Sequence, residues 1–155
     1  MSANLMSKLC QTLIEVVADL SFICLLELPG EEPPPNTGQQ LQAMIPVHQP
    51  YEEKFFLTVE APLMQEITCN IYGLEAAQLT EEDQIDTLNE LLNNIAGKFM
   101  QILTPSSIQF ELGLPVPHIE RTTLSEPVLN LVFHSDESYL VFSLIGTNLI
   151  SEVRK

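Results

Sequence analysis

Between Thr80 and Pro105 the chain sets a carboxylate, a carboxamide and a bare backbone position at steps of three and four: Glu90, Asn93 and Gly97. Asp86 continues the series by another step of four, and Asn94 places a second carboxamide beside the first. At about 100° per residue, Asp86, Glu90, Asn93 and Gly97 fall on one side of a helix. They lie roughly opposite an apolar stripe of Ile85, Leu88, Leu92, Ile95, Phe99 and Ile102. A polar outer face is ordinary for a surface helix. Gly97 is not, because an interior glycine costs about 1 kcal/mol relative to alanine and the stripe runs on past it. A bare position there lets another surface approach closely. The face reads as a docking surface with two polar arms.

The helix that must carry these residues is well delimited. Thr80 is a good N-cap, and Glu81, Glu82 and Asp83 favour the positive end of the helix dipole. Pro105 disfavours helix at Thr104 and marks the stop. Around it, the 3.6-residue spacing of Met6, Leu9, Leu13, Val17 and Leu20 predicts a first helix over about residues 3–20. The apolar run at 22–28 has strand length. A Pro-rich surface loop at about 29–40 follows, since Pro33, Pro34 and Pro35 forbid helix and sheet alike. Period-two alternation predicts strands around Phe55, Leu57 and Val59 and around Ile67, Cys69 and Ile71, joined at Pro62 as an antiparallel pair. Further strands are predicted at Ile108, Phe110 and Leu112, then at 128–134 and 139–145 flanking a turn at Ser135, Asp136 and Glu137. The result is an α+β domain spanning residues 1–155, with two main helices packed on one face of a largely antiparallel sheet.

The run Glu90-Leu-Leu-Asn93-Asn-Ile-Ala-Gly97 resembles the E-x-x-N-x-I-x-G helix of the CheX/CheC/FliY family of chemotaxis phosphatases. The family pattern carries Asp or Ser four residues before the Glu, a place Asp86 fills. It also carries a proline after about twenty-two further residues, which Pro115 and Pro117 bracket. The first helix has no second copy, because Glu15 is followed three residues later by Ala18. A single motif resembles the CheX branch more than the two-site CheC branch. Asn94 departs from the family, which often has an apolar residue there.

The resemblance implies hydrolysis of the aspartyl phosphate of a phosphorylated response regulator of the CheY type. An acyl phosphate is labile, and the regulator is expected to bring its own Mg²⁺, so the missing part is a water held in line with phosphorus. By resemblance Asn93 holds that water, since a carboxamide offers both donor and acceptor without charge. Glu90 would pair with the regulator's active-site lysine, and Asp86, Asn94 and Gly97 would belong to the docking face. No cofactor or metal of this chain's own is implied. The alternative is a non-catalytic module of the same fold that docks a signalling or flagellar-switch partner. Family members of the single-motif type also imply a homodimer joined through sheet strands, and 128–145 is apolar on both faces.

Other chemistry finds little support. His48, His118 and His134 share no ligand spacing, Ser106, Ser107 and Ser135 lack a nucleophile-elbow setting, and no phosphate-binding glycine motif occurs. Cys10, Cys24 and Cys69 are odd in number and far apart, which points to free, mostly buried thiols of a cytoplasmic protein. The apolar stretch at 5–26 is broken by Lys8, Glu15 and Asp19 and reads as neither signal peptide nor membrane span. With 155 residues, 45% of them hydrophobic, the chain can bury a substantial core. Six Lys and Arg against 21 Asp and Glu give a net charge of −15, which excludes nucleic acid and anionic membrane as partners.

Overall fold

The computed structural model describes residues 2–28, 38–117, 126–136 and 138–155. The chain runs through helix α1 (Ser2–Ser21) and strands β1 (Leu26–Leu28), β2 (Gln40–Gln49) and β3 (Glu53–Glu60). Helix α2 (Ala61–Tyr72), a 3-10 turn (Ala76–Gln78) and helix α3 (Glu81–Leu103) follow. Strands β4 (Glu111–Leu112), β5 (Val116–Pro117), β6 (Val128–Ser135) and β7 (Ser138–Ile145) lead to helix α4 (Thr147–Val153). The strands form one sheet in the order β1-β6-β7-β3-β2-β4, with β5 also on β2, and every pairing is antiparallel.

Strand alternation decides where the core lies. Ala43, Ile45 and Val47 of β2, Phe55, Leu57 and Val59 of β3, and Leu140, Phe142 and Leu144 of β7 project to one side. There they join one core with buried residues of all four helices, among them Leu13, Ile67, Phe99 and Leu149. The α+β arrangement with helices on one sheet face therefore stands, with α2 and α4 added to the two expected helices. The opposite face is apolar as well: Phe56, Val132 and Val141 project there and are buried.

Several local expectations are corrected. Residues 67–71 are not a strand but the second half of α2. Pro62 lies in that helix's first turn, where its missing N–H costs nothing, and Gly73 closes the helix in the left-handed conformation at φ 67°. The antiparallel partners of β3 are instead β2 and β7. Strand β2 itself was unforeseen. It starts inside the expected loop at 29–40, of which 29–37 lie outside the described residues. Pro46 is tolerated because β2's second neighbour changes there from β5 at Met44 to β4 at Val47. The strand expected at 108–112 shortens to two residues, and that at 22–28 to three.

The hairpin of β6 and β7 is as expected, with Asp136 turning at φ 53°; Glu137 lies outside the described residues. Of the cysteines, all free, only Cys10 is buried; Cys24 is exposed and Cys69 half-buried, which corrects the expectation of mostly buried thiols. Burial, aided by the neighbouring Glu27 carboxylate, pushes the Cys10 thiol up to about 12.

Candidate docking helix

Helix α3 is built to hold a fixed position. Thr80 accepts a hydrogen bond through Oγ1 from the Asp83 N–H at 3.1 Å, and Asp83 returns the favour by accepting from the Thr80 N–H at 3.0 Å. This reciprocal box closes two of the free donors at the helix start. The Thr87 hydroxyl donates to the Asp83 carbonyl at 2.8 Å, and the Thr104 N–H closes the far end on the Met100 carbonyl at 2.9 Å. Leu88, Leu91, Leu92, Ile95, Ala96, Phe99, Met100 and Leu103 are buried, a wider stripe than spacing alone indicated. Phe99 locks the helix to the sheet: its ring lies 4.8 Å from that of Phe142 and 6.3 Å from that of Phe55, edge-on to both.

That anchoring presents the opposite face to solvent. Asp86, Glu90 and Asn93 are exposed, and Asn94 and Gly97 are half-buried. Glu90 and Asn93 stand about 4.5 Å apart along the axis, and Asp86 to Gly97 spans roughly 16 Å. Neither Glu90 nor Asn93 has a hydrogen-bond or ion-pair partner among the described residues. A Cβ built on Gly97 meets nothing within 4 Å among the described residues, so none of them requires a glycine here. All five residues singled out in the sequence thus lie along the solvent side of one helix. Pro117 sits apart from them, on β5 beside the cleft of about 730 Å³ that Gln84, Ile85 and Leu88 line along another side of α3. Glu90 and Asn93 do not line that cleft; they stand on an exposed helix face.

The family model described as chemotaxis phosphatase CheX matches residues 41–131, which include the whole of α3. The chain belongs to the CheX family. Solved structures agree on the fold. A CheX chemotaxis protein from Vibrio vulnificus superposes with a TM-score of 0.73 at 19% identity, over 94% of this chain and 97% of that one. A CheC-like superfamily protein from Shewanella gives 0.74 at 17% identity, over 94% and 98%. CheX of Borrelia burgdorferi, solved in a CheX–CheY–BeF3–Mg²⁺ complex, gives 0.69 at 15% identity, over 92% and 97%. No curated protein matches the chain by sequence.

Elsewhere the CheX-family chain offers little competing chemistry. Among the described residues, no group of three or more His, Cys, Asp or Glu is placed to hold a metal ion. His48 and His134 are on separate strands, and His118 lies outside the described residues. No helix among the described residues is long and apolar enough to cross a membrane. One polar side chain on the motif helix escaped sequence reasoning: Asn89, one turn before Asn93, with its Oδ1 buried and unpartnered. The signal available in sequence was a carboxamide at the seam between the apolar stripe and the polar face.

Proposed function

We propose that this chain dephosphorylates a CheY-type response regulator, using the exposed face of α3 as its working surface. The observation that carries the reading is the pairing of an exposed, unpartnered Glu90 and Asn93 beside an open Gly97, in a member of the CheX family. An exposed helix face suits a protein substrate, whereas a small molecule needs a concave site. In this reading Glu90 forms a charge-assisted bond to a lysine of the regulator's active site and seats the helix over the phosphorylated aspartate. Asn93 then orients a water in line with phosphorus. The water oxygen bonds to phosphorus, the bond from phosphorus to the aspartate oxygen breaks, and the regulator regains its carboxylate while inorganic phosphate leaves. Positioning is the whole contribution of this chain, and Mg²⁺ is expected from the regulator. We place the reaction in the cytoplasm and the working form as a homodimer.

The test uses CheY-type regulators phosphorylated with acetyl phosphate and the timing of phosphate release. Asn93→Ala should slow release by a factor on the order of 100 or more while leaving docking intact. Because Asn93 is exposed and unpartnered, its truncation should alter stability by no more than about 0.5 kcal/mol. An alanine variant as fast as the parent would sink the reading. Binding of the regulator without release by the parent chain would assign the non-catalytic docking module instead.

A further inference from the structure

We infer that Asn89 is a positioning residue that fixes the orientation of the Asn93 carboxamide; the inference rests on the phosphatase reading above. Asn89 precedes Asn93 by four residues on α3, so the two side chains are neighbours on adjacent turns, with Cβ atoms about 5–6 Å apart. The Asn89 Oδ1 is buried and has no hydrogen-bond partner among the described residues. A carboxamide is planar and its nitrogen diverges from its oxygen, so an inward oxygen leaves the N–H₂ group turned away from the core. The Asn93 carboxamide, one turn further along the same side of the helix, has no hydrogen-bond partner among the described residues either, so the two amides are unbonded here and meet by side-chain rotation.

The buried acceptor carries a desolvation cost, and an apolar side chain of similar shape such as leucine would avoid it. Folding gains nothing from the polar group at this place. Catalysis does. An unanchored Asn93 can present either end of its amide to the attacking water, and only one end is correct for a given approach. A hydrogen bond from the Asn89 Nδ2–H to the Asn93 Oδ1 selects one orientation and still leaves Asn93 a free lone pair and both N–H donors for the water. Asn89 touches neither water nor phosphate in this scheme; it acts through Asn93.

The experiment measures steady-state phosphate release from acetyl-phosphate-treated regulator, with thermal melting of each variant. Asn89→Leu should lower kcat by about tenfold or more, leave KM within about twofold, and melt at or above the parent temperature. Combined with Asn93→Ala it should cause no further loss, because its only route to the reaction is then gone. Asn89→Ala serves as the second variant, with the same kcat, KM and double-variant outcomes. Parental kcat in both variants overturns the inference, as does a further loss in the Asn93→Ala background or a lower kcat accounted for by unfolded protein. A parent chain that releases no phosphate from any regulator overturns the phosphatase reading and this inference with it, whereas normal parental release with an indifferent Asn89 overturns the inference alone.

Discussion

Gly97 is the residue at which a face made for contact can be told from one that is merely wet. A Cβ there meets nothing within 4 Å among the described residues, so Gly97→Ala introduces no clash with them and removes the entropic penalty of glycine in a helix. The isolated protein should gain about 0.5–1 kcal/mol in denaturant unfolding. Gly97→Leu should also stay folded, because the position looks away from the core. Its bulk should nevertheless weaken regulator binding and phosphate release together, by holding Asn93 an ångström or more from its target. A leucine variant that melts several degrees lower with unchanged activity per folded molecule would remove Gly97 from the docking face. At this scale the placement of the candidate face was legible in sequence, since the spacing of Glu90, Asn93 and Gly97 along a helix with chemically marked ends puts them on one side, as they lie. Asn89 was not, because the sequence places it at a seam and only the folded chain shows its oxygen buried.

The elements differ in how openly their residues announce them. Helix α3 and the hairpin of β6 and β7 were legible because cap, stop and turn residues agree with the apolar period. Helix α2 was hidden by two features: Cys69 and Ile71 continue an alternation begun by Ile67, and Pro62 looks like a break when it belongs to the first turn. Its true period is in Leu63, Met64, Ile67 and Ile71. Strand β2 alternates cleanly, with Ala43, Ile45 and Val47 buried between exposed or half-buried neighbours, but a proline-rich stretch before it and Pro46 within it masked the pattern. Helix α4 depends on a partner remote in sequence. The Glu53 carboxylate on β3 accepts from the Leu149 N–H at 2.7 Å, the Asn148 N–H at 2.9 Å and the Asn148 Nδ2–H at 2.8 Å. Gly146, at φ 128°, makes room for it, since a Cβ there would collide with that carboxyl. Glu53→Ala should therefore cost about 2 kcal/mol and lower the melting temperature by roughly 4–8 °C. Phosphate release per folded molecule should be unchanged, because α3 is anchored separately by Phe55, Phe99 and Phe142. A variant that melts like the parent would show that α4 does not depend on this cap.

For the whole molecule the dominant quantity is charge, and it sets the terms for assembly. Each copy carries a formal charge of −15, so two copies repel at long range. Repulsion is screened beyond about 8 Å at physiological ionic strength, while burial of apolar surface is not weakened by salt. Among the described residues, exposed apolar surface available for such burial lies at the β1 edge and the start of β6. Leu26 is 57% exposed and Val128 37% exposed, and β1 is a three-residue edge strand. A homodimer built there should therefore tighten as salt rises. Light scattering at micromolar concentration should give about 35 kDa at 0.15 M salt, twice the 17.3 kDa of the chain, and a lower average mass at 0.01 M. Leu26→Lys should shift the mass toward the single chain without unfolding it, because a charge at an exposed edge blocks strand pairing at little cost to the monomer. A mass near 17 kDa at both salt concentrations would exclude the dimer, and the docking helix would then have to work from a single copy.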